Sequence, residues 1–505
     1  MRRKKISPPP PPVQLKQALD WLAKPPLEDP LLDLVPLRNH LAAINSLGLP
    51  VLHRLKIDEL LQQRAERLDD ALTPMLLDIK LPLPIHLGTV SQGLIALRAE
   101  LGETWLKVAG DASPEQLAGI HRSRTRVCLQ GILNLSRQFI ATSLTAIPTP
   151  INFWRNLQAL YHLAHESVDP AATLPAEISA IDSRFKAILA LGAAQPEGLA
   201  PREIAFLADY LEAHAAVTQI DTMRPKEAAN WFWLDPDLDQ PPVTLARVEP
   251  YGGRCLYIRF GALASLAARH LEQLNDGVPP LSIGLPLQAA GADYRNALER
   301  ARQCWADLRQ RRFHRRPEAL RVEVCTQLST LWIALGTDFR EEPGSDKGRL
   351  TYSDWMVFNE GPSGYAILHL VGAVTGIVPG CALGLRTSAA APWQICLVRW
   401  ARSKSSSHVE LGLEVLAPSV KPIRIQKAAV RHPEPPIPAL LLPALPTLNR
   451  GEAILAARGD FNARPFTLLQ EDETHLQVFE CVPQRSLVET SSVEVFEFER
   501  NALAN

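Results

Sequence analysis

The sequence contains no Cys-x-x-Cys pair. Its seven cysteines (128, 255, 304, 325, 381, 396, 481) are scattered and odd in number. That spacing speaks against a zinc ribbon or a disulfide framework and fits buried thiols in a reducing compartment. No charge of one sign dominates either: 53 basic residues face 54 acidic ones, for a net charge of -1. A surface that binds DNA or RNA as a whole is thereby disfavoured, and only local basic patches remain. The phosphate-binding patterns Gly-x-x-x-x-Gly-Lys-[Ser/Thr] and Gly-x-Gly-x-x-Gly are missing, which removes the main support for an ATP, GTP or dinucleotide enzyme. His-Glu-x-x-His is missing too, and His162-Leu-Ala-His165 reads as a solvated helix face. Asp235-Pro-Asp-Leu-Asp opens like a calcium loop, but Gln240 and Ala246 stand where glycine and glutamate are needed. Gly361-Pro-Ser363-Gly lacks a glycine at 365, which is tyrosine, so it is no nucleophile elbow. No catalytic residue, metal ligand or cofactor is therefore expected, and the chain is not read as an enzyme.

Long hydrophobic runs are also scarce. The basic start Met-Arg-Arg-Lys-Lys has no apolar stretch behind it, so it is not read as a signal peptide, and a cytoplasmic location is expected. Tyr365 to Leu385 carries no charge, but Gly372, Gly376, Gly380, Gly384 and Pro379 make it poor helix material. It reads as strands broken by turns, with no membrane span.

Proline is abundant, at 43 residues, and it divides the chain. Residues 1–12 read as a disordered Pro-rich tail. From 13 to 307 apolar residues recur at spacings of three and four, as in Ile57-Leu60-Leu61-Ala65-Leu68 and Ile178-Ile181-Phe185-Ile188-Leu189, which predicts a large helical region. Within it, Arg247-Val-Glu and Arg254 to Phe260 look strand-like, and a long polar helix is expected from Asp293 to Arg311. From 308 to 425 alternation takes over, in Leu320 to Val324, Ser353 to Phe358, Ile367 to Val371, Trp393 to Trp400 and His408 to Leu416, the pattern of a small β-barrel or sandwich. Residues 426–447 read as a Pro-rich linker. Residues 448–505 read as a small β-rich extension packed on the barrel. The expected fold is α+β and multidomain.

Two segments carry the chemistry. Five arginines fall within residues 309 to 316, and Asn359-Glu-Gly-Pro-Ser-Gly364 follows about forty residues later. Arginine binds phosphate bidentately, pairs with guanine and stacks on base planes. Asn359 can bond a base edge or hold a turn, and Gly361 and Gly364 let backbone approach a ligand closely. The pairing suits a compact anion with flat bases, such as a cyclic dinucleotide.

These residues resemble the PilZ domain, the family of bacterial cyclic di-GMP receptors. Its pattern is Arg-x-x-x-Arg before the first strand and [Asp/Asn]-x-Ser-x-x-Gly later. Arg312 and Arg316 give the better register for the first part, and Arg311 with Arg315 the rival. Asn359 and Gly364 match the second part. Gly361 stands at the serine position, with Ser363 two residues on, and the gap between the motifs is longer than is usual. The resemblance covers residues 308–425. It implies a ligand site at Arg311, Arg312, Arg316, Asn359, Gly361, Ser363 and Gly364, and a cyclic di-GMP effector that acts on protein partners. The alternative is a degenerate PilZ-like scaffold that holds proteins without nucleotide.

Overall fold

The computed structural model describes residues 13–113, 116–117, 123–166, 176–250, 254–307, 316–336, 352–405, 408–427, 435–459, 464–471 and 475–501. The expected tail at 1–12 lies outside them. The helical region comprises α1 (Val13–Leu22), α2 (Pro30–Asn45), α3 (Val51–Leu72), α4 (Ile85–Asp111), α5 (Arg124–Leu144), α6 (Phe153–His165), α7 (Ala176–Ala193), α8 (Pro201–His214), α9 (Gly261–Asn275) and α10 (Ala292–Trp305). Local signals fix their ends. Asp29 caps α2 by accepting from the Leu31 N–H at 3.0 Å, Ser123 caps α5 from the Arg126 N–H at 3.0 Å, and prolines open α2 and α8. The stripe Leu94-Leu97-Leu101-Trp105-Val108 of α4 is buried, as the 3.6-residue period requires. Among the described residues no helix is long and apolar enough to cross a membrane.

A four-stranded antiparallel sheet interrupts the helices: β1 (Gln219–Asp221), β2 (Phe232–Leu234), β3 (Val243–Thr244) and β4 (Leu256–Arg259), in the order β1-β4-β2-β3. Two expectations need correction here. Arg247-Val-Glu is turn, not strand. The long polar helix stops at Trp305, because Asp307 takes a left-handed conformation (φ 51°) that no helix continues through.

Two closed antiparallel barrels follow. The first is β5 (Arg316–Cys325), β6 (Ser353–Gly361), β7 (Gly364–Val371), β8 (Ala382–Arg386), β9 (Gln394–Ser405) and β10 (His408–Ala417), closed in the order β10-β7-β6-β5-β8-β9. The uncharged run from Tyr365 thus becomes two strands and their connection. The second barrel is β11 (Lys421–Lys427), β12 (Ile437–Leu442), β13 (Ala453–Ala457), β14 (Phe466–Glu471), β15 (Leu476–Glu489) and β16 (Val493–Asn501). Part of the expected linker is therefore barrel: Ile437–Leu442 pairs with both β11 and β13. Pro438 sits near the strand's start, where a missing donor is tolerated. Residues 428–434 lie outside the described set.

A short helix, α11 (Leu328–Leu335), wedges between the barrels. Its Leu331 is fully buried in a cluster with Trp393 and Ile395 of the first barrel and Leu440, Leu455 and Val495 of the second. Trp332 donates its indole N–H to the Ile423 carbonyl at 2.8 Å. The first barrel is tied to the helical region by the Leu81–Ile377 bridge and by the Ser403 N–H donated to the Ala146 carbonyl at 2.8 Å.

Polar groups are buried between α3, α4 and α5. Asp58 is fully buried, 3.5 Å from Arg54, and neither carboxylate oxygen has a hydrogen bond among the described residues. Burial pushes its carboxyl up to about 7, against the pull of Arg54. The unfolded value is about 3.9, so this group binds protons more tightly when folded. Its stability contribution is complete below about pH 4 and lost as pH rises through about 7. Asp58→Asn is accordingly expected to improve stability relative to the native chain more at pH 8 than at pH 5. Urea unfolding at both pH values checks this, and an equal difference at both counts against it.

Candidate functional site

The β5–β6 register brings the two sequence motifs together. Arg316 pairs with Glu360, and Pro317 with Asn359. Arg316 is exposed and makes no ion pair with a described residue. Arg311, Arg312 and Arg315 lie outside the described residues. After Glu360 the chain turns back through Pro362-Ser363, with Gly361 paired to Gly364. The Ser363 carbonyl accepts from the Val415 N–H at 2.9 Å, which pins the turn to β10. Asn359 Oδ1 is buried and has no hydrogen-bond partner among the described residues. Leaving such an oxygen unpaired costs about 1–3 kcal/mol, so the position asks for a donor.

Gly364 has a tighter role than expected from the sequence. A Cβ there would overlap the Leu413 carbonyl oxygen and lie 2.9 Å from its carbon. The space on that side is filled by β10 backbone.

From Asn359 the ladder continues across the sheet. Asn359 pairs with Ala366, Ala366 with Gly412, and Gly412 with Trp400. Four strands thus present one row, about 14 Å long at ordinary strand spacing, with its two smallest residues in the middle. The helical region stands over this row and leaves a cleft of about 550 Å³. Phe358, Ala366, Trp400, Arg402 and Glu410 form its barrel wall; Glu197, Arg247 and Asp307 stand on the helical side. Asp307 is the last described residue before the arginine segment, and residues 308–315 lie outside the described set.

The described walls carry three acids, Glu197, Asp307 and Glu410, and two arginines, Arg247 and Arg402. Arg247 pairs with Asp307 at 2.8 Å, and Arg402 with Glu197 at 3.2 Å. Arg402 also lies over the Trp400 ring, 5.3 Å from its centroid. Trp400 in turn covers Gly412, where any Cβ would overlap the indole. Glu410 accepts from His408 at 2.8 Å and lies 3.6 Å from Lys404. Burial pushes the Glu410 carboxyl up, but the His408 bond and the neighbouring cations outweigh it and hold the group below its ordinary value. Arg247, Trp400, Arg402 and Glu410 were not singled out from the sequence. The outward alternation of Trp400 and Arg402 was a readable signal; their meeting with Glu410 depends on register.

Other sequence candidates have structural explanations. His165 bonds Asp182 at 3.0 Å. In the acidic run, Asp239 accepts from the Trp154 N–H at 2.8 Å at the start of α6, and Asp235 accepts from the Asp237 N–H at 2.8 Å. Among the described residues no group of three His, Cys, Asp or Glu could hold a metal ion.

Residues 336–422 match the family described as the middle PilZ domain of the cyclic-di-GMP receptor FimW. The first barrel is a PilZ domain. Residues 16–226 match the N-terminal domain of the same receptor. The chain is 21% identical over 502 residues to the cyclic-di-GMP receptor FimW of Pseudomonas aeruginosa, covering 83% of this chain and 80% of the relative. No solved structure matches. The PilZ match takes in Asn359, Gly361, Ser363 and Gly364, and it begins after Arg311, Arg312 and Arg316.

Proposed function

We propose that the chain is a cyclic di-GMP-binding effector of bacterial signalling, whose contacts with protein partners are controlled by the ligand. The observation that carries this reading is the register that sets Arg316 beside Asn359 on a PilZ barrel, next to Phe358 and Ala366 of the cleft wall. Arg311, Arg312 and Arg316 supply guanidinium forks for the two phosphates. Asn359, with its unpaired oxygen, takes a donor from the ligand, and Gly361, Ser363 and Gly364 shape the turn. The cleft volume falls in the range of small-ligand sites. Its walls come from both the helical region and the barrel, so an occupant touches both, and reorientation of one against the other is the route by which binding reaches partners. Supporting the reading from outside the chain is the relative that matches along most of its length, a cyclic-di-GMP receptor.

Two observations favour the rival reading, a PilZ scaffold that binds proteins without nucleotide. Gly361 replaces the motif's serine hydroxyl, and the described walls hold three acids against two arginines. Calorimetric titration of the full chain with cyclic di-GMP decides between them. The effector reading expects micromolar binding that weakens roughly tenfold or more in Arg312→Ala and in Arg316→Ala, the loss of one charged hydrogen-bonding group. No heat with folded protein leaves the scaffold. Binding that both variants retain removes the arginines from the site and keeps the ligand.

A further inference from the structure

The end of the cleft away from Asn359 carries a carboxylate that phosphate binding does not explain. Glu410 pairs across the ladder with Arg402, and two residues on, past the Leu411–Ala401 pair, Gly412 pairs with Trp400. These residues form one patch on the outer face of β9 and β10, and Trp400, Arg402 and Glu410 all line the cleft. The Trp400 indole packs where Gly412 has no side chain, with the Arg402 guanidinium over its ring at 5.3 Å; once Arg402 is drawn aside, that ring offers a stacking surface. A negatively charged ligand gains nothing from an acid beside that surface unless the ligand also offers donors there. Guanine does. Its Watson–Crick edge presents N1–H and N2–H side by side, which a carboxylate accepts, whereas adenine presents an acceptor at N1 with a single donor beside it. Stacking on an aromatic ring combined with hydrogen bonds to that edge is a general way to read an unstacked base.

Resting on the cyclic di-GMP reading above, we propose that Glu410 selects guanine over adenine at the end of the cleft where Trp400 provides the stacking surface. The row from Asn359 to Trp400 separates this subsite from the arginine end by about 14 Å, so one two-base ligand reaches both. His408 and Lys404 both approach Oε1 of Glu410, and the second oxygen carries neither contact. The His408 hydrogen bond and the Lys404 ammonium hold the carboxyl below its ordinary value despite burial, which favours the ionised acceptor form. Arg402, over the same ring, is positioned to move from Glu197 to a phosphate or to the base plane.

The test is titration of the full chain with cyclic di-GMP and cyclic di-AMP, using native protein, Glu410→Gln, Trp400→Ala and Trp400→Phe, with thermal melts to confirm folding. The native chain is expected to prefer the guanine ligand. Glu410→Gln should weaken cyclic di-GMP by about tenfold or more, a charged hydrogen bond's worth, without weakening cyclic di-AMP. Trp400→Ala should weaken any binding of either ligand by on the order of five- to a hundredfold, the range for lost base stacking, and Trp400→Phe should restore most of it. A guanine-to-adenine preference unchanged in Glu410→Gln overturns the assignment while the receptor reading stands. A native chain that binds neither ligand overturns both.

Discussion

Replacing Arg98 by alanine is expected to lower the stability of the helical region by about 3–5 kcal/mol, the cost of stranding a buried ionic partner. Arg98 is 1% exposed. It pairs with Asp69, donates to Asn134 Oδ1 at 2.7 Å and to the Ala65 carbonyl at 2.8 Å. Asn134 passes the network on, donating at 2.7 Å to Gln62, which also accepts from the Trp105 indole at 3.3 Å. One guanidinium therefore links α3, α4 and α5. Burial pushes the Asp69 carboxyl up even with Arg98 in place. Without Arg98, among the described residues only the partly exposed Arg137, 3.6 Å away, faces it as a cation. Chemical denaturation followed by far-ultraviolet circular dichroism measures the loss. Arg98→Met paired with Asp69→Leu should recover most of it, because an apolar replacement of both partners removes the stranded charge. A single variant within about 1 kcal/mol of the native chain would mean that the network contributes little beyond packing.

This network also shows where sequence reading stops. The apolar stripes of α3 and α7 were legible because a 3.6-residue period leaves its mark in one segment at a time. Ile178, Ile181, Phe185, Ile188 and Leu189 are all buried as their spacing implied, while Leu60, read into the α3 stripe, is 44% exposed. Arg98, Asn134 and Gln62 are polar residues whose meeting depends on how three helices cross, which no single period encodes. The strands of the first barrel were legible through alternation. The second barrel was harder, because Pro438 and its neighbours made β12 resemble a linker. At the cleft the two motif segments could be paired by resemblance, but Trp400, Arg402 and Glu410 could not. Their assembly requires the β9–β10 register, and a one-residue slip would send each side chain to the opposite face.

The same distinction between local pattern and register governs Gly364. Read alone, this glycine clears space for a ligand. In the fold, its missing side chain clears space for β10, since a Cβ would overlap the Leu413 carbonyl oxygen and sit 3.1 Å from the Glu414 Cα. Neither neighbour is a flexible side chain that can swing aside. Gly364→Ala is thus expected to destabilise the first barrel by about 3 kcal/mol, the upper end of the ordinary cost of overpacking. The strain falls where Gly364 pairs with Glu414, and Glu414 is held by Arg399 on β9, so the damage should spread through β7, β10 and β9. Hydrogen exchange of the amides in these strands, alongside urea unfolding, is the measurement. Faster exchange there, with binding weakened only as far as folding is, assigns Gly364 to the barrel. A variant that unfolds like the native chain yet no longer binds cyclic di-GMP would return Gly364 to the ligand and require β10 to yield at Leu413.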